Sequence, residues 1–489
     1  MAFIYFWCRL QNAKKAEIRA QPGYEKLENQ EWLDLTDVEN PEFIYRRAER
    51  LAGQKRFAAS AIHQASAMSS EEEKDQNTSQ ESSYLEHGKP TTPNGTKLPL
   101  STAEHQNEAK PHNHNHRTAF LPWLTTHFTF SWFTCTQSTG GISILLSSSP
   151  KTFPGLTTIG TIIFLFNIAL FILFTFLLIL RWKYNPGLIR KSFTTPPECY
   201  FFGSFWLTLA TMIINIERYG TPHCGLWLVT TIRILFWLYA GISLTSATVH
   251  MVIISKYVEI KVLDFPSPAF ILILNAMLTG TAAGAIAQSQ PVEQRVPIMV
   301  AGVAYQGLGW IMCVIFLTFV FGNLLERGWP VVDLRGGLFI MVGTAGFTIV
   351  ALIGCARAAP ADYGYFATHP IAGEVLLIVA TWTGIFLWLF CVFVFGVAFL
   401  IIMAGLFEKR EGKWRIDMSW NNASWALIFP NVGWVLGTVY LGEELQSEAI
   451  AWVSVAMIIA LVAVWLLDMF LMSKAVIKSI FIDSRIKVS

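Results

Sequence analysis

From about residue 128 onward the chain alternates long apolar stretches with short polar connections. Ten stretches reach membrane length: about 128–147, 156–180, 200–217, 225–253, 267–287, 298–324, 337–355, 372–407, 424–441 and 449–473. A helix needs roughly 20 residues to cross about 30 Å of hydrocarbon. The odd-numbered stretches are short and carry small or polar residues: Ser138-Thr139-Gly140-Gly141 in the first, Thr208, Thr211 and Asn215 in the third, Thr279-Gly280-Thr281 in the fifth, and Gly343-Thr344-Ala345-Gly346 in the seventh. The ninth, SWALIFPNVGWVLGTVYL, adds Pro430, Asn431, Gly433 and Gly437. The even-numbered stretches are longer and more uniformly apolar, as in IIFLFNIALFILFTFLLIL. Irregular or polar backbone is tolerated at membrane depth only where protein or a water-filled cavity surrounds it. The pattern therefore predicts an all-α integral membrane fold of ten transmembrane helices, arranged as five quasi-symmetric hairpins around a central pore, odd helices inside and even helices against lipid. In a single span such small residues would mean helix packing; their fivefold recurrence is what points to a conduit.

The remainder is polar. Residues 1–117 contain SSEEEKDQNTSQESS and PHNHNHR and show no sustained apolar period, which predicts a disordered tail, followed by a ten-helix domain over 118–475 and a short tail over 476–489. Within the first tail, 40–66 has a sparse apolar face and several basic residues, the composition of an interfacial helix, but Gly53 interrupts it. His112, His114 and His116 have no carboxylate or thiol beside them, so no metal site is expected. Loops after the second, fourth, sixth and eighth stretches hold twelve Lys and Arg, against four in the opposite loops. By the positive-inside rule the basic side and both termini are cytoplasmic, which leaves the sequons at Asn77 and Asn94 unused, and the plasma membrane is the expected location.

Composition narrows the chemistry. With 53% hydrophobic and 14% charged residues and a net charge of +2, a soluble globule is excluded and nothing indicates a nucleic-acid partner. The seven cysteines are scattered singly, without the spacing of a disulfide framework or zinc site. No nucleophile with a base, carboxylate pair or phosphate loop appears, so neither an enzyme nor a cofactor is expected. Conduction through such a pore requires dipoles that hold a partly dehydrated solute and release it again. Ser138, Thr139, Gly140, Thr211, Thr279, Gly280, Thr344, Asn431 and Gly433 are the expected lining positions, with Phe429 at the narrowest point. Their hydroxyls have the alternative of bonding back to their own helices. Arg233, inside the fourth stretch, and Arg335, at the basic start of the seventh, are candidates for anion attraction; Arg233 could instead pair with Glu217. Asp468 is expected to pair or to snorkel.

Several runs carry a family resemblance. HFTFSWFTCTQSTGGISILL with FPGLTTIGTIIF, FFGSFWLTLATMIINIERYGTPH, GLWLVTTIRILFWLY, AGVAYQGLGW, LRGGLFIMVGTAGFTIVALIG and WALIFPNVGWVLGTVYLGEELQSEAI, in this order over about 125–475, resemble the tellurite-resistance/dicarboxylate transporter family of voltage-dependent anion channel-like proteins. The family includes fungal malic acid transport proteins, sulfite efflux pumps and the slow anion channels of plant guard cells. STGG, PGLTTIG and IERYG look more like the malic acid branch. The resemblance implies five hairpins around a pore, a homotrimer with one pore per subunit, and a plug formed by the phenylalanine before the proline of the ninth helix, here Phe429. The chain departs from the family's usual residues at Gln137, Ala345 and Ser424. The expected function is transport of a small organic anion, malate or a related C4-dicarboxylate, through the lipid bilayer, with or without a coupled proton. The rivals are a sulfite or inorganic anion pathway on the same scaffold and, from another class, a receptor-like or scaffolding membrane protein.

Overall fold

A computed structural model of the chain describes residues 124–125, 127–406, 408–410, 413–415 and 420–481. The segment 40–66, the histidines at 112, 114 and 116, both sequons and the tail at 482–489 lie outside the described residues. The chain divides into two units, Met1–Glu108 and Ala109–Ser489, and every described residue belongs to the second.

The helices are α1 (Phe133–Ser147), α2 (Leu156–Tyr184), α3 (Gly187–Thr194), α4 (Phe202–Asn215), α5 (Leu226–Tyr257), α6 (Ile271–Ile286), α7 (Val292–Arg327), α8 (Ile340–Arg357), the single turn α9 (Tyr365–Thr368), α10 (Ala372–Leu406), α11 (Phe429–Glu444) and α12 (Glu448–Phe481). Between α10 and α11 a small antiparallel hairpin pairs β1 (Glu408–Arg410) with β2 (Lys413–Arg415). Nine helical segments among the described residues are long and apolar enough to cross a membrane, which makes this a multi-pass membrane protein. Ten were expected. The first stretch differs because α1 is short and opens on FTCTQSTGG, so its hydropathy is low, yet it is enclosed by protein, with all but its last residue buried.

Burial follows the predicted alternation. In the most apolar window of Ser267–Ser289 and of Val332–Arg357, 94% is buried, and for Asn422–Glu444 the figure is 89%. For Leu156–Tyr184 and Glu448–Ser479 it is 22%. Helices α1, α4, α6, α8 and α11 are thus the inner set, and α2, α5, α7, α10 and α12 turn apolar side chains outward. Each inner helix is preceded by a 3-10 turn, at Phe130–Trp132, Glu198–Phe201, Ser267–Phe270, Val332–Phe339 and Asn422–Leu427. Pro430 therefore does not break a helix. It occupies the first turn of α11, where its missing N–H has no intrahelical partner to lose, and the irregular backbone lies before Phe429, at Ile428.

Close packing holds the inner set together. A Cβ on Gly346 would run into the backbone nitrogen of Trp434, and one on Gly433 would stand 2.8 Å from the Phe347 ring, so α8 and α11 cross with their backbones nearly in contact. Around this core, side-chain hydrogen bonds join inner to outer helices. Trp465 Nε1 on α12 donates to Thr139 at 3.1 Å, Gln306 on α7 donates to Thr348 at 2.9 Å, and Trp388 on α10 donates to Thr438 at 2.9 Å. At the basic end, Arg181 donates to both Glu198 oxygens, at 2.6 and 2.9 Å, and to Ser192 at 2.9 Å, fixing α2, α3 and the turn before α4.

The α8–α11 crossing predicts opposite signs for two glycine substitutions. Gly346→Ala should destabilise the purified protein by about 1–3 kcal/mol, because the added methyl has no room. Gly307→Ala, whose Cβ meets nothing within 4 Å, should be neutral or stabilising by up to about 1 kcal/mol. Thermal unfolding in detergent checks both, and equal shifts would contradict the packing described.

Candidate functional site

Three narrow cavities run through the inner set, each with room for little more than a water. The first is lined by residues at or before the N-terminal ends of all five inner helices: Thr134 and Gln137, Phe201, Pro268 and Ile271, Gly337 and Ile340, and Asn422, Ala423 and Ala426. The third is lined by the C-terminal halves of the first four, at Ile144, Thr211 and Ile214, Thr281 and Ala285, and Val350, and by Val432, Leu436 and Tyr440 along α11, together with Arg218. The second lies between, walled by Leu207, Leu274, Met277, Leu278, Gly343 and Phe347. Five helices that share one cavity at their starts and another along their later turns run side by side about a common axis.

Phe429 borders all three cavities. It is the first residue of α11, 4% exposed, and its ring lies 5.1 Å from that of Phe347, which borders the second and third cavities. Gly141 of α1 gives the ring its space, since a Cβ there would stand 3.4 Å from Phe429 Cδ2 and 2.8 Å from Val432 Cγ2. The turn that delivers Phe429 is fastened from outside the axis. Trp420 Nε1 donates to Asp468 at 2.7 Å, Asn422 Nδ2 donates to Ser131 at 2.7 Å, and Ser138 Oγ donates to the Trp425 carbonyl at 3.3 Å. Asp468 is thus buried and bonded to an indole rather than snorkelling.

The polar groups of the third cavity cluster at its end. Arg218 donates one N–H to the Tyr440 hydroxyl at 2.8 Å, while its Nε–H is buried without an acceptor. The Tyr440 ring also packs 4.6 Å from the Arg357 guanidinium, which is itself neutralised by Glu443 and Glu444 at 2.7 and 2.6 Å. Arg218 has no carboxylate within ion-pair distance among the described residues. A guanidinium with an unused donor, beside a hydroxyl whose own proton is free, can hold an anion by two charge-assisted hydrogen bonds.

Of the polar and glycine positions expected to line a path, Thr211 borders a cavity, and its hydroxyl donates to the Thr208 carbonyl at 2.7 Å. The others face elsewhere. Thr139 meets Trp465, Thr279 shares a 3.1 Å hydrogen bond with Ser243 on α5, and a Cβ on Gly280 would meet Gln306 on α7. Gly140 faces Thr211 and Asn167, Gly433 accommodates Phe347, and Thr344 and Asn431 donate back to Met341 and Leu427. Arg233 is half-buried on α5, away from the three cavities, and Glu217 instead accepts from Thr221 at 3.0 Å. Arg335 stacks on Trp329 and donates to the Pro330 and Ile401 carbonyls, an anchor against α10.

Arg218, Tyr440 and Phe347 border the cavities without having been singled out from composition, and Thr281, named with Thr279 and Gly280 in the fifth stretch, was not among the expected lining positions. Helical phase would have found them: Phe429, Val432, Leu436 and Tyr440 form one stripe at intervals of three and four, as do Leu207, Thr211, Ile214 and Arg218.

Residues 127–473 match the family described as voltage-dependent anion channel. A malic acid transport protein of Schizosaccharomyces pombe is 32% identical over 351 residues, covering 71% of this chain and 78% of that protein. A putative malic acid transport protein of the same organism is 32% identical over 354 residues, covering 72% and 80%. A sulfite efflux pump of Arthroderma otae is 24% identical over 353 residues, covering 71% and 90%. The five inner helices, their axial cavities and the match over most of the chain lead to one conclusion: this protein belongs to the voltage-dependent anion channel family.

Proposed function

We propose that the chain carries malate or a related C4-dicarboxylate across the plasma membrane, along the axis of the inner helices, with Phe429 and Phe347 as the gate and Arg218 with Tyr440 as the anion-holding group. The observation that carries this reading is the meeting of all three cavities at Phe429, in line with an unpartnered guanidinium N–H. The 3-10 turn and α1 together form a tenth crossing segment, and the repeated pairing of a turn-led inner helix with an exposed outer one makes five hairpins. Enclosure by protein removes the need for α1 to be lipophilic. The basic loops and both termini face the cytoplasm, and three subunits assemble with one path each. Malate is favoured over sulfite by the names and higher identity of the relatives that match. One cation in the third cavity suits a singly charged anion, which is the observation in favour of hydrogen sulfite or of the monoanion of malate. Movement of malate as its monoanion also links its flux to pH.

In the closed path an anion would have to pass an apolar ring junction, a barrier that dewetting alone maintains. Phe429→Ala should therefore raise anion conductance in planar bilayers several-fold, and Phe347→Ala should do so to a smaller extent. A well-folded Phe429→Ala protein with unchanged conductance would remove its gating role. Arg218→Ala removes charged hydrogen bonds of about 1.5–3 kcal/mol, so half-saturation for the anion should rise about ten- to a hundredfold. Thr279→Val, which breaks a contact between inner and outer helices, should leave half-saturation unchanged and cost about 0.6 kcal/mol of stability. For substrate choice, reconstituted vesicles given malate, sulfite or chloride, with and without a pH gradient, should take up malate fastest. Uptake of malate no faster than in protein-free vesicles would overturn the assignment.

A further inference from the structure

A larger cavity opens on the outer surface rather than on the axis. It is a furrow of about 610 Å³ between α3, α4 and α5, walled by Phe193, Phe202, Trp237, Ile242, Val249 and Ile253. Its floor is pre-formed: the Phe202 ring stacks on His250 at 5.0 Å, and His250 Nε2 lies 2.9 Å from the Cys199 carbonyl oxygen. Gly241 keeps it open, since a Cβ there would meet nothing within 4 Å. Trp237, Ile242 and Val249 are 42%, 44% and 52% exposed on a membrane-length helix, so the surrounding medium is hydrocarbon. From Trp237 to Ile253 the furrow follows α5 for about 24 Å at 1.5 Å per residue, room for an acyl chain.

Where the furrow ends, two cations gather. Lys256 lies one turn beyond Ile253 on α5, and Arg190 lies one turn before Phe193 on α3, so two of the three helices that wall the furrow also carry a positive charge near it. Both converge on one ring: the Arg190 guanidinium is 5.6 Å and the Lys256 ammonium 5.3 Å from the centre of Tyr257. Neither has a carboxylate within ion-pair distance among the described residues. Two like charges held on the same ring without a counter-ion call for an anion, and the apolar furrow leading away from them calls for a chain attached to it. We infer that this is a binding site for one anionic phospholipid, with an acyl chain along α5 and the head group between Arg190 and Lys256. A zwitterionic head group would bring its own cation against these two. A second copy presenting the same face would add two more positive charges. The site also lies on the side with the excess of basic residues, the side that the positive-inside rule assigns to the leaflet rich in anionic lipid.

Lipid retention by the purified full chain tests this by native mass spectrometry after equilibration with equal amounts of phosphatidylserine and phosphatidylcholine. The protein is expected to retain phosphatidylserine in preference. Arg190→Gln combined with Lys256→Gln should reduce that retention about tenfold or more, towards the level of phosphatidylcholine, and Gly241→Trp, which fills the furrow, should displace the lipid with both cations still in place. Equal retention of the two lipids by the unaltered protein, or an unchanged preference in the double variant, would overturn the site. So would efficient cross-linking of Gly241→Cys to its counterpart in a second copy, which would show the furrow covered by protein.

Discussion

The close crossing of α8 and α11 is the constraint on which the rest of the inner set depends. With no side chain at Gly346 or Gly433, the two backbones approach until Phe347 is pressed against Gly433 and Phe429 against Phe347. A methyl group at the crossing would separate the helices and draw both rings from the axis. Inside a bilayer this contact draws little on the hydrophobic effect, because lipid is as apolar as the side chains. It rests on van der Waals fit and on hydrogen bonds between helices. That explains why the threonines of the inner helices are so often turned outward: their hydroxyls serve the contacts to Trp465, Ser243, Gln306 and Trp388 that hold the outer helices in register.

The proposed path gains its anion preference from its ends. Its middle is apolar, walled by Leu207, Leu274, Met277, Phe347 and Phe429, and offers a dehydrating charge nothing. At one end the N-terminal ends of five helices converge on a shared cavity, and their dipoles favour negative charge without a fixed cation to trap it. At the other, Arg218 supplies a real charge, moderated by Tyr440 and by the paired Arg357 behind it. Such an arrangement favours occupancy by an anion at either mouth and leaves the barrier to the phenylalanines.

Much of the architecture was legible in the sequence because it depends on composition. The alternation of small, polar spans with greasy ones predicts which helices are buried, and Ser424–Leu441 could be recognised as an inner helix. Individual site residues were less legible because they depend on phase. Thr139, Thr279 and Gly280 sit one or two residues from the axial stripe, and a shift of one residue turns a helical side chain by 100°. Arg218 and Tyr440 were hidden differently. Tyr440 stands among apolar residues and Arg218 in the turn IERYG, each near the end of an inner span, and their meeting at 2.8 Å across 222 residues is a product of tertiary structure. The α1 segment differs from the other spans in being short and of low hydropathy, which its enclosure by protein makes acceptable.

The central claim is that one stripe on each inner helix, and not the hydroxyl-bearing faces beside it, lines the proposed path. Single cysteines placed along both faces, in a protein with its accessible native cysteines replaced and Phe429→Ala to open the junction, test this directly. Cysteine at Thr211, Thr281 or Leu436 should react with a water-soluble thiol reagent and block anion flux, whereas cysteine at Thr139, Thr279 or Thr344 should stay unreactive. Fast modification at the second set, with the first set protected, would contradict it.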